Sequence, residues 1–175
     1  MSLILKNNNL ELQLPPEGQH LARCYGLIDI GFQKNKNTGN YASKILIAWE
    51  LCHVLTSANK PFTIMQTYTA HLNQTSKLKA LLEAWRGKKF TEEELQEFHL
   101  ENMLGEPCHL TVIHKRQKEN QKYRAIVNDI EPLFPGMSYP TLYHLPLVFD
   151  LDYYTEVDYL SLPEKIRKKI NIAGI

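Results

Sequence analysis

Residues 61–87 read PFTIMQTYTAHLNQTSKLKALLEAWRG, and the change of rhythm inside this stretch decides the fold class. From Pro61 to about Leu72 the residues are rich in β-branched and aromatic side chains, the composition of a pleated strand. From Leu78 the spacing lengthens. Leu78, Leu81, Leu82 and Trp85 stand at i, i+3, i+4 and i+7, one buried stripe of a helix. Thr75 or Ser76 can cap its start and Gly87 its end. A second short helix opens at Thr91, where Glu94 completes a capping box and Leu95 and Phe98 supply an apolar side.

Upstream of this switch lie two more strand patterns. His20 to Phe32 alternates Ala22, Cys24, Gly26, Ile28 and Ile30 with Leu21, Arg23, Tyr25, Leu27 and Asp29. The small apolar even set is expected to face the core. Gly26 and Gly31 permit the bend or bulge that a small barrel needs. Tyr41 to Val54 places Ile45, Ile47, Trp49 and Leu51 on one face and Lys44, Leu46, Ala48 and Glu50 on the other. Downstream, strands are expected over Cys108–His114 and about Lys122–Glu131, after Gly105-Glu106-Pro107 ends the helical part.

The order is therefore strand, strand, strand, helix, strand, strand. This is the order of the OB-fold, a five-stranded Greek-key barrel with its helix between strands three and four. An SH3-like barrel or an open α+β sheet also accommodates it. The reading divides the chain into an N-terminal arm (1–18), an OB-fold domain (19–135) and a C-terminal extension (136–175). The arm carries Asn7-Asn8-Asn9 and Pro15-Pro16, and the extension a short basic helix from Pro163.

With 175 residues and 43% hydrophobic content, the chain can bury a proper core. Leu3-Ile4-Leu5 lacks the basic start and small-residue cleavage site of a signal peptide, and no apolar run is long enough to span a bilayer. Cys24, Cys52 and Cys108 are odd in number and far apart, and read as reduced, mostly buried thiols. A cytoplasmic location is expected.

Enzyme signatures are absent: there is no GxGxxG, GxxxxGK[ST], HExxH or GxSxG. None of the seven histidines stands at metal spacing with a second ligand, since the adjacent Cys52-His53 are strand neighbours that point to opposite faces. Asp150, Asp152, Glu156 and Asp158 could be imagined as a metal-dependent nuclease site. Set among Tyr153, Tyr154 and Tyr159, they read more simply as a solvated acidic segment. A non-enzymatic protein without metal or cofactor is expected.

The informative charges lie elsewhere. Twenty Lys and Arg face nineteen Asp and Glu, a net charge of +1, so any affinity for polyanions must come from uneven placement. His114 to Arg124 carries Lys115, Arg116, Lys118, Lys122 and Arg124 against Glu119 alone. It joins strands four and five. The loop between strands one and two adds Lys34 and Lys36. In an OB-fold these loops flank the ligand groove, where cations can track a phosphate backbone and rings can stack on bases. Tyr123 and Arg124 offer a ring and a planar cation in the loop itself. Arg23, Tyr25, Lys44 and Tyr68 are the candidate contributors from the strands, while Trp49 and Trp85 sit among apolar neighbours and read as core. The plainer reading of the basic loop is a hairpin tip kept soluble by charge.

A string of motifs gives a further pointer. It runs PEGQHLAR (16–23), KILIAWEL (44–51), KPFTI (60–64), LLEAWRGKKFTEEE (81–94) and LGEPC (104–108), with a weaker echo in SLPEKI (161–166). In this order it resembles a family of phage and prophage proteins associated with single-stranded-DNA binding and replication. The resemblance implies an OB-fold that binds single-stranded DNA with little sequence preference during replication or recombination. Its partners would be phage or host replication proteins and further copies of itself. Met65-Gln66-Thr67 stands where relatives carry basic residues, and the basic end Lys165–Ile175 differs from the acidic tip of many single-strand binders. These departures keep open a second reading, an OB-type protein-interaction module with weak or no DNA binding.

Overall fold

The computed structural model describes residues 13–172. The Asn7–Asn9 arm, the Leu3–Leu5 run and the last three residues of the basic end lie outside them. Six strands form one sheet: β1 (Gly18–Lys34), β2 (Tyr41–Leu55), β3 (Pro61–Thr69), β4 (Pro107–Arg116), β5 (Tyr123–Glu131) and β6 (Leu147–Phe149). Four short α-helices, α1 (Lys77–Arg86), α2 (Glu92–Gln96), α3 (Glu156–Ser161) and α4 (Glu164–Arg167), and a 3-10 turn over Leu100–Met103 accompany it.

The ladder order is β3-β2-β1-β4-β5, all antiparallel, with β6 added parallel to β1. The long β1 makes this order by pairing twice. Residues 22–34 pair with β2, and residues 18–23 pair with β4. The expected closed five-stranded barrel is corrected here: among the described residues no ladder joins β3 to β5. The two edge strands still approach, with Cα atoms within 8 Å. The Val127 N–H donates to Gln66 Oε1 across the gap at 2.8 Å.

The helical insert stands where its periodicity places it. Ser76 caps α1 and Gly87 ends it in the left-handed conformation, φ 72°. Leu78, Leu81, Leu82 and Trp85 are buried against the inner face of the sheet. The Trp85 indole N–H donates to Pro107 O at 3.0 Å, tying α1 to the start of β4. Thr91 and Glu94 form the capping box of α2.

Strand β1 departs from its expected alternation. A register shift between Cys24 and Gly26 changes the parity, and a second follows between Asp29 and Gly31. Ala22, Cys24 and Leu27 face the inner core with Trp49, while Tyr25, Ile28 and Ile30 face outward. The outward set is also buried. It meets Leu46 and Ala48 of β2 and is covered by Phe149, Leu162 and Ile166. Gly26 sits at the crossing, where an added Cβ would lie 3.0 Å from the Ala48 Cβ. The sheet thus separates two apolar layers, and the segment expected to be solvated around 147–160 supplies much of the second one.

Three groups of bonds hold the outer layer down. Glu50, buried on the outer face, accepts from the backbone N–H of Tyr143 and of His144 at 3.0 Å each, and from His144 Nδ1 at 3.1 Å. The Arg23 guanidinium donates to Gly105 O at 2.8 Å and Pro140 O at 3.0 Å. At the far end Asn171 N–H donates to Ile30 O, Asn171 Nδ2 to Phe32 O and Gln33 Nε2 to Lys169 O. No helix among the described residues is long and apolar enough to cross a membrane.

Candidate nucleic-acid interface

The two basic hairpin tips are built alike and meet. In the β1–β2 tip Gly39 N–H donates to Asn35 O at 2.8 Å, with Gly39 at φ 73°. In the β4–β5 tip Gln121 N–H donates to Gln117 O at 3.1 Å, with Gln121 at φ 60°. Lys36 of the first tip pairs with Glu119 of the second at 3.7 Å. The two tips therefore stand within reach of one another through one exposed ion pair.

That contact consumes the only acid of the β4–β5 tip. Lys115 and Arg124 are directly opposed in the ladder, as are Arg116 and Tyr123. Opposed residues share a face and alternate pairs take opposite faces, so like charges confront one another at Lys115/Arg124. Lys115, Arg116, Lys118, Lys122 and Arg124 are exposed, and none of them joins an ion pair among the described residues. The Tyr123 ring beside them is 58% exposed. On the neighbouring tip Lys34 lies 5.9 Å from the centroid of the exposed Tyr41 ring. Tyr41 was missed by sequence reasoning, although its place at the first residue of β2, opposite Lys34 in the hairpin, marks it.

The strand contributors are placed differently. Tyr25, expected as a surface ring, is only 4% exposed. It stacks on His144 with centroids 4.6 Å apart, and burial pushes its phenol up to about 12. Tyr25 does lie on the face opposite Ala22 and Cys24, as alternation expects, but that face is covered by the outer apolar layer. Tyr68 is 6% exposed in the inner core, and burial alone raises its phenol. Arg23 is held by two carbonyls and lies 4.8 Å from the Tyr139 centroid. Lys44 donates to Thr69 Oγ1 at 2.6 Å. Tyr25 and Tyr68 are thus buried in the fold, Arg23 and Lys44 are half-buried and hydrogen-bonded, and the loop residues form the open surface.

The acidic residues do not assemble into a chelate. Asp150 Oδ1 accepts from the Asp152 N–H, and Asp158 closes a capping box with Thr155, whose N–H holds the Asp158 carboxyl below its ordinary value. Among the described residues no three His, Cys, Asp or Glu side chains stand close enough together to hold a metal ion. All three cysteines are free thiols. Comparison with protein-family models and with curated proteins finds no match for this chain.

Proposed function

We propose that this protein is a non-enzymatic binder of single-stranded DNA with little sequence preference. The contact surface is the pair of neighbouring hairpin tips, in an open sheet with the strand order of an OB-fold. The observation that carries the reading is the unneutralised cross-strand pair Lys115/Arg124 beside the exposed Tyr123 and Tyr41 rings. Like charges held opposite one another cost stability, and an anionic ligand removes that cost. Phosphates between the cations and bases on the rings would satisfy both features at once. The OB assignment is supported by the ladder order, by α1 lying between β3 and β4, and by the approach of β3 to β5. The motif string favours a role in phage or prophage replication or recombination.

The protein-interaction reading has one observation of its own. The outer face of β1 and β2 is covered by later residues of the same chain, from Pro140 to Ile170, which closes that face to DNA.

Fluorescence anisotropy with labelled oligonucleotides, single-stranded against duplex, tests the proposal. Single strands are expected to bind more tightly, with oligonucleotides left intact in Mg²⁺. Joint replacement of Lys115, Arg116 and Lys118 by Ala should weaken binding and lower the salt slope by up to about 2, at about 0.7 per phosphate released. Tyr123→Ala should cost about 1–3 kcal/mol with little change in slope. Equal affinity and slope in the wild type and the triple variant would leave the loop as a solvated hairpin and favour the interaction module.

A further inference from the structure

The near-zero net charge hides two opposite lobes. Residues 115–124 hold five bases and one acid, while residues 150–160 hold Asp150, Asp152, Glu156 and Asp158 and no base. No ion pair joins the two segments within the chain among the described residues. The acidic segment is also apolar on its outer side. Tyr153 is 85% exposed, Val157 75% and Leu160 57%. Val157 and Leu160 stand three residues apart on α3, on one face of the helix. Tyr154, Tyr159 and Leu162 instead pack inward around Phe149. The outward face of α3 therefore has no partner among the described residues.

We infer that the acidic, apolar face formed by Asp152, Tyr153, Glu156, Val157 and Leu160 docks onto the basic β4–β5 tip of a second copy of this chain. Charge complementarity selects this occupant. The tip presents Lys118, Lys122 and Arg124 for the carboxylates and the exposed Tyr123 ring for Val157 and Leu160. The contact joins unlike surfaces head-to-tail, so a pair of copies keeps one free surface of each kind. Opposed lobes on a chain of near-zero net charge favour association at low ionic strength, and salt screens it.

Sedimentation velocity of the full chain without nucleic acid tests this, so the outcome is independent of whether DNA binds. The wild type should associate at about 0.05 M salt and fall to monomer at about 0.5 M. Asp152→Lys with Glu156→Lys should weaken association by about tenfold or more, and Lys118→Glu with Lys122→Glu should do the same. An equimolar mixture of these two variants should associate again, because each supplies the surface the other lacks. Val157→Ser with Leu160→Ser changes only exposed side chains and should also yield monomer at low salt. A wild type that is monomeric at both salt concentrations overturns the inference. So does association that survives both charge reversals, or a mixture that stays monomeric.

Discussion

Glu50 is the residue on which the outer layer turns. Its carboxylate is desolvated, and three donors from Tyr143 and His144 compensate it. Glu50→Ala leaves two backbone N–H groups of the covering segment without an acceptor, at a cost of about 1–3 kcal/mol for such a group. The urea midpoint should fall accordingly. Amide exchange should rise first over residues 142–149, before the inner core opens, and uniform exchange across the sheet would contradict this role. Nothing in the sequence marks Glu50 for it. In KILIAWEL it reads as one polar position on the solvent side of β2, because its partners lie more than ninety residues away. Tyr25 was misleading for a similar reason. Alternation assigns it to the face of Arg23, where it lies, and the cover that buries that face comes from the C-terminal part of the chain. Trp49 and Trp85 were legible as core because their own neighbours are apolar, which is local information.

At the scale of elements, helix α1 and the capping box of α2 could be read directly, since the stripe spacing and the Thr91–Glu94 pair are contained in a few residues. The two parity changes in β1 could not be located, although Gly26 and Gly31 hinted at them. Gly31 has φ 72°, and a Cβ there would come 2.6 Å from Asn171 O and 3.0 Å from Leu151 Cδ1. Gly39 has nearly the same φ, 73°, with nothing near its absent Cβ. Gly39→Ala should therefore cost only the strain of a left-handed residue, about 1–2 kcal/mol. Gly31→Ala should cost more and release residues 169–172 from the edge of β1. Parallel chemical denaturation of the two variants measures the difference. Equal losses would mean that Asn171 contributes nothing to holding that edge.

Across the whole molecule, burial keeps several acids neutral. Desolvation pushes Cys24 and Tyr25 to about 12 and Cys52 to about 11, and it raises Cys108 and Tyr68 as well. Each of these groups ionises earlier in the unfolded chain, near the ordinary 9 for a thiol and 10 for a phenol. Their stabilisation is complete below about pH 9 and is lost as pH rises through about 12. These groups should leave the urea midpoint unchanged below about pH 9 and lower it steeply above. Tyr25 and Tyr68 should form tyrosinate only as the chain unfolds. A midpoint unchanged to pH 11 would contradict this account. Strand order and the place of the helix were legible at this scale. The second apolar layer was not, because its cover comes from residues 142–170, whose spacing carries little strand or helix rhythm.

The order of synthesis gives that late cover a consequence. Every residue of the inner layer lies before position 131, so that layer can consolidate while the C-terminal part is still being made. Tyr25, Ile28, Ile30, Leu46 and Ala48 then wait as a naked apolar sheet face until Phe149, Leu162 and Ile166 arrive. A nascent chain stalled between these two stages would present a sticky surface, and this interval is where a chaperone would have most to do.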